Sequence, residues 1–215
     1  MTENMPILQP PRIPKRLTNT SLKDEMKNEK FFTASCFADG EIRDESIEKL
    51  CFDKVVFKNC TFINVSFRFI ELTDVIFEKC DLSNVDFSDA VIHRAEIKGC
   101  KLLGTNLAES TCRNVLFDHC SADYASLSYS DQKQVKYQSC SLNSADFYES
   151  EFEDVGFDQC RLNQANLSGV NLRGIDLSNS SFDSITISSE KLAGCTISSE
   201  QAIGFARVLG LIIKE

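Results

Sequence analysis

Six cysteines, two histidines and a run of acids are the residues whose spacing could do chemistry in this chain. Cys60, Cys80, Cys100, Cys120, Cys140 and Cys160 recur every 20 residues. A ladder of thiols one turn apart would suit a metal array or a redox relay, and Cα atoms at strand spacing fall within disulfide reach. Stacked side chains point in parallel rather than at one another, however, and free cysteine is a common small buried residue. The column therefore predicts core filling. His93 and His119 fall at outward positions on different turns, without an evident acid or nucleophile to work with. His119 precedes Cys120, but that thiol belongs to the inward column. No phosphate-binding loop, dinucleotide fingerprint, nucleophile elbow, HExxH or CxxC is present. The expectation is no catalytic residue, no metal site and no cofactor. Between residues 146 and 158 stand Asp146, Glu149, Glu151, Glu153, Asp154 and Asp158 with no base among them.

What must position these residues is a repeat of five. Stepping from Phe52 to Ile197 by fives meets Phe, Leu, Ile or Tyr at 27 of 30 positions, and the phase never slips. Two residues before each lies a second register, from Leu50 to Cys195, small or aliphatic everywhere except Glu190. A period of five fits neither a helix nor a plain strand. Each unit instead turns one small and one large side chain inward and three polar ones outward. The period of 20 in Cys60–Cys160, matched by Val55, Val75, Ala95, Val115, Val135 and Val155, makes four units one coil. The fold class is thus all-β, a right-handed four-sided β-helix of about 7.5 coils, or roughly 36 Å at ordinary strand spacing. Cys112, Ala122 and Gln132 break the large register at mid-rod, which predicts an irregularity dividing the array into two blocks. A buried Gln132 needs internal hydrogen-bond partners, or a bulge to expose it.

Residues 1–30 read as an extended polar segment, 31–197 as the β-helix, most regular over 50–197, and 198–215 as a C-terminal helix and short strand. Phe32, Phe37, Ile42 and Ile47 keep the phase but lose the small register, so they are degenerate first coils or a cap. Ser198 and Gln201 form a capping-box pattern, and Ala202, Ile203, Phe205, Ala206 and Leu209 follow at helical spacing. This segment either lids the rod or pairs with a second copy. A twofold homodimer is the favoured reading, with Leu211 and Ile212 added to the contact. The N-terminus has no apolar signal region and no apolar run is long enough to span a membrane, which points to the cytoplasm and reduced thiols. A net charge of −9 disfavours nucleic acid as a ligand and suits a basic partner. Phe69 is the one evident outward aromatic.

The units CDLSN at 80–84, ADFYE at 145–149 and ANLSG at 165–169 resemble the A(D/N)LXX pattern of pentapeptide-repeat proteins. Together with ADYAS at 122–126 and the ending SSEQAIGFARVLGLIIKE, the chain resembles the Qnr and MfpA fluoroquinolone-resistance group, in particular Qnr-type proteins of Gram-positive bacteria. That resemblance implies a homodimeric acidic rod that imitates B-form DNA, binds DNA gyrase or topoisomerase IV, and protects it from quinolones. The dimer contact would be Ala202, Ile203, Phe205, Ala206, Leu209, Leu211 and Ile212. The topoisomerase would meet Asp118, Asp123, Asp131, Asp146, Glu149, Glu151, Glu153, Asp154 and Asp158. The chain departs from Gram-negative Qnr proteins in having no room for their two loops. Alternatives are a non-enzymatic adaptor rod that docks another protein, and an immunity protein against a gyrase-poisoning toxin. A DNA mimic should gather its acids on one face; an adaptor should expose an apolar or aromatic patch.

Overall fold

The computed structural model describes residues 6–19, 29–208 and 210–212. The chain forms a parallel β-solenoid of about eight turns, 42% strand, with one short C-terminal helix. In each unit the apolar pair projects inward from extended backbone, and the residue two places after the large one turns the corner in the left-handed region. One such residue occurs in every unit from Ala34 (φ 49°) to Gly174 (φ 82°). Asn, Asp and Gly suit that conformation. Phe69, Tyr124 and Tyr129 adopt it as well, at 58°, 60° and 56°, because coils stacked above and below override a local cost of about 1 kcal/mol each.

The strands Cys51–Lys58, Glu71–Glu78, Val91–Lys98, Thr111–Asp118, Asp131–Gln138 and Glu151–Asp158 stack in parallel with a register of 20. Backbone bonds join every coil to both neighbours, as in Thr61 N to Gly40 O and Phe62 N to Asp81 O, both 2.9 Å. The coil 50–69 defines four sides, 50–54, 55–59, 60–64 and 65–69, numbered first to fourth, and each recurs every 20 residues. No mid-rod division occurs: Thr111–Asp118 and Asp131–Gln138 pair in unbroken register, contrary to the two-block expectation.

The core is a set of ladders. Phe37, Phe57 and Phe77 stack with 5.2 and 4.6 Å between ring centroids, and Phe117, Tyr137 and Phe157 with 4.9 and 5.0 Å. Ile97 interrupts this column, leaving an apolar void of about 20 Å³ between Phe77 and Phe117. That is room for one water at most, so this part of the interior cannot hold a ligand. In the small register, Cys60, Cys100, Cys120 and Cys160 donate through Sγ to the carbonyls of Phe37, Phe77, Ile97 and Tyr137, at 3.2–3.6 Å. Thr105 and Ser150 make the same bond to Leu82 and Leu127, at 2.8 and 2.7 Å. The thiol is thus one of several small donors that satisfy a carbonyl of the preceding coil. All ten cysteines are unpaired. Contact with Cys140 and burial both push the Cys120 and Cys160 thiols up, away from the reactive thiolate.

Gln132 is fully buried and satisfied without a bulge. Its Nε2 donates to Ser130 Oγ (2.8 Å), and its Oε1 accepts from the Tyr137 hydroxyl (3.0 Å). Ser130 passes the chain on to Ser150 (3.2 Å). The two interruptions Cys112 and Ala122 are simply buried small residues.

Both ends of the strand stack are partly covered. At one end Phe31–Thr33, Ser35–Ala38 and Glu41–Arg43 form a true first coil, and Thr18–Asn19 then pairs with Ser35 and Cys36. At the other end Ser188 begins a tight turn over Ser189–Lys191, which puts Glu190 outside. The helix Ser199–Val208 follows, opened by the reciprocal bonds Ser198 N to Gln201 Oε1 (2.9 Å) and Gln201 N to Ser198 Oγ (3.2 Å). Gln201 Nε2 also donates to the last-coil carbonyls of Leu177 and Ser180. Covering unpaired strand groups in this way blocks edge-to-edge association.

Replacing Gln132 by Leu should destabilise the rod by about 1–3 kcal/mol in urea unfolding, because the Tyr137 hydroxyl loses its acceptor. Adding Tyr137→Phe should recover most of the loss. A double variant as unstable as the sum of the singles would deny that the two groups satisfy each other.

Candidate functional site

The outward residues decide what the rod can do, and the four sides are not equivalent. The first side is largely self-neutralised. Asp53 pairs with Lys54 (2.5 Å), Asp131 with Arg113, and Glu153 with Lys133 (2.5 Å). Asp74 accepts a bidentate grip from Arg94, Nε to Oδ1 at 2.6 Å and Nη2 to Oδ2 at 2.8 Å. The N-terminal segment, expected to be merely extended, lies along this side as an arm. Gln9 N donates to Asn114 Oδ1 and Arg12 N to Asp74 Oδ1, both 2.9 Å, and Thr18 N reaches Ala34 O. Three extended residues span about 10 Å, which matches two coils. The arm buries Asp74 to 2% exposure and Asn114 to 7%. The bond from Arg94, strongest among several, holds the Asp74 carboxyl below the usual range. Burial, then the Arg94 charge, pushes His93 down.

The fourth side is different. Its outward positions from residue 86 to 149 carry Asp86, Asp89, Glu109, Asp146 and Glu149 and no Lys or Arg; Arg68, one coil earlier, is the nearest base on this side. Five carboxylates over four coils average about one per 4 Å, with none on the coil 110–129, against the phosphate spacing of 3.4 Å along one DNA strand. Beside them stand Tyr129 and Tyr148, 59% and 38% exposed, packed edge to face with centroids 5.4 Å apart. A shallow groove of about 540 Å³ runs beside Tyr129, lined also by Glu109, Ser110, Thr111 and Asp131.

The acids singled out in the sequence are therefore dispersed. Asp131, Glu151, Glu153 and Asp154 belong to the first side, Asp118 and Asp158 to the second, and Asp123 to the third, where it bonds Ser141 and Asn143 N. Only Asp146 and Glu149 lie on the fourth, with Asp131 and Glu151 at its border. Asp86, Asp89 and Glu109 were missed, although sorting outward residues by their remainder on division by 20 would have found them. Phe69 is also not the sole outward aromatic, since Tyr124 is 67% exposed and Tyr129 59%. His119 does have an acid, Asp118, at 2.6 Å, but the neighbouring Cys120 thiol faces the core. Among the described residues no three His, Cys, Asp or Glu are placed to hold a metal ion, and no helix is long and apolar enough to cross a membrane.

In the C-terminal segment Phe205 turns into the rod, 6% exposed and edge-on to Phe182 at 5.6 Å, so it acts as a lid rather than lying open for a second copy. Ala202, Ile203, Leu211 and Ile212 are exposed and Ala206 is half-buried, while Leu209 lies outside the described residues.

Residues 70–147 match the family model of a pentapeptide repeat region, and residues 140–179 that of pentapeptide repeats in eight copies. A stretch of 67 residues is 45% identical to the uncharacterized protein YisX of Bacillus subtilis (strain 168), covering 31% of this chain and 32% of that one. The chain thus matches about a third of the length of that curated relative. Among solved structures, a trypsin-treated form of QnrB1, a plasmid-mediated fluoroquinolone resistance protein, has TM-score 0.43 and 20% identity over 86% of this chain and 92% of its own. HetL, a pentapeptide repeat protein involved in heterocyst differentiation regulation from Nostoc sp. strain PCC 7120, has TM-score 0.31 and 15% identity over 80% and 89%.

The buried pair under the arm sets an acid limit. Because the folded Asp74 value is depressed, its stabilisation is present above the ordinary range near pH 3.9 and is lost as pH falls through the folded value. Asp74→Ala should cost about 3 kcal/mol at pH 7 by stranding Arg94. Its stability should also fall less steeply below pH 4 than that of the wild type, as read by urea midpoints across pH.

Proposed function

The chain is a pentapeptide-repeat protein, and from that premise we propose that it is a non-enzymatic DNA mimic that binds DNA gyrase or topoisomerase IV and shields it from fluoroquinolones. The observation that carries this reading is the run of carboxylates on the fourth side, of which only Asp89 has an ion-pair partner, Arg68 at 3.1 Å. The average density of the run approaches that of phosphates along a strand, and it would face the basic DNA-binding surface of such an enzyme. Carboxylates on a rigid solenoid need no rearrangement to meet fixed cations, so the cost of ordering them has been met in folding. The sequence resemblance to the Qnr and MfpA group supplies the identity of the target. The first side, strapped by the arm and internally paired, offers little net charge to a partner.

We also assign the exposed Ile203, Leu211 and Ile212 to a twofold contact between two chains. This would join two fourth sides into a longer acidic track. Sedimentation should give twice the chain mass of 24.1 kDa for the wild type and one chain for Ile203→Asp with Ile212→Asp. A wild type that already sediments as a single chain ends the dimer proposal.

The activity is tested by gyrase supercoiling at fixed ciprofloxacin while this protein is titrated. Supercoiling should return, and the triple variant Asp89→Asn, Glu109→Gln, Glu149→Gln should need about tenfold more protein. No rescue, together with no binding to either topoisomerase, would sink the reading in favour of an adaptor rod. That second reading draws on one observation, the exposed Tyr129–Tyr148 pair.

A further inference from the structure

We infer that the groove beside Tyr129 is a docking site for an arginine side chain of a basic protein partner. The inference rests on the reading that the fourth side faces such a partner, and it names the group that seats there.

Tyr129 contributes nothing to the core, being 59% exposed, and it occupies a corner at φ 56° where Asn, Asp or Gly would be easier. Folding alone gives no reason for an aromatic residue at this position. The same corner column, three coils earlier, indicates what such a ring receives. There Phe69 also sits at a left-handed corner, and Arg68 lays its guanidinium 5.2 Å from the ring centroid. The residue equivalent to Arg68 before Tyr129 is Ser128, so no neighbour in the chain supplies the cation.

The surroundings fit a guanidinium. Glu109, one coil away in the same column, makes no ion pair among the described residues. Asp131, on the opposite wall, spends Oδ2 on Arg113 and leaves Oδ1 to accept. Tyr148 packs edge to face on Tyr129 and holds its ring in place. Partial desolvation, then the neighbouring Tyr148, Glu149, Asp146 and Glu109, pushes the Tyr129 phenol up. A planar guanidinium stacks on a ring while its edges reach carboxylates on either side; an ammonium on a flexible stem does one or the other.

The chain has no Trp and four Tyr, three of them exposed, so tyrosine emission reports on this surface directly. Nona-arginine should bind roughly fivefold more tightly than nona-lysine at equal ionic strength, with a saturable change in tyrosine emission. Tyr129→Asn with Tyr148→Ser should bind both peptides alike, at the affinity of nona-lysine. Tyr124→Asn, at the same kind of corner on the third side, should keep the preference. Both changes place a residue that suits its backbone, so the variants should fold at least as well as the wild type. Equal affinity of the wild type for the two peptides, or a preference that survives in the Tyr129 and Tyr148 variant, would overturn the assignment. The supercoiling assay is independent: failure there with an intact arginine preference removes the topoisomerase and leaves the groove.

Discussion

Every coil of this rod exists only because another lies one strand spacing away. A single coil of 20 residues cannot bury its own apolar side chains, and apart from short turn bonds at the corners its backbone bonds run to the coils above and below. Register is therefore enforced at every position at once. A residue of any type is held in the conformation its place demands, which is how Phe69 and Tyr129 come to sit in left-handed corners. The same rule lets the small register use Cys, Ser and Thr interchangeably as donors to the carbonyl of the preceding coil.

A stacked rod has two weaknesses, its open ends and its buried exceptions, and both are met by local hydrogen bonding. The arm strand Thr18–Asn19 pairs with one strand of the first edge, and Gln201, capping its own helix, reaches back to two carbonyls of the last coil. Gln132, the largest polar intrusion, is matched to the one tyrosine in the core column.

Because the backbone is uniform, function must be written in the outward side chains, and uniformity makes the writing one-dimensional. Columns of residues 20 apart become stripes along the rod. Three sides mix acids and bases and largely cancel. The fourth carries acids alone over four coils, with a tyrosine pair set among them. The arm adds a second asymmetry by covering the first side, where it buries the Asp74–Arg94 pair.

The amino-acid sequence alone determined the four-sided solenoid, its inward registers from residue 50 onward and the capping of its final helix, while the first coil was decided by the structure. These follow from periodicity, since a five-residue apolar repeat has one way to bury itself. Tertiary structure alone decided the rest. Whether Gln132 would be buried depended on Tyr137 and Ser130 meeting it across the coil. The course of the arm rested on single bonds to Asp74 and Asn114, residues 62 and 105 positions away, which no local pattern announces. The acidic fourth side was hidden for a similar reason. Asp146 and Glu151 are neighbours in the chain but lie on different sides, whereas Glu109, Tyr129 and Glu149 become neighbours only when coils stack.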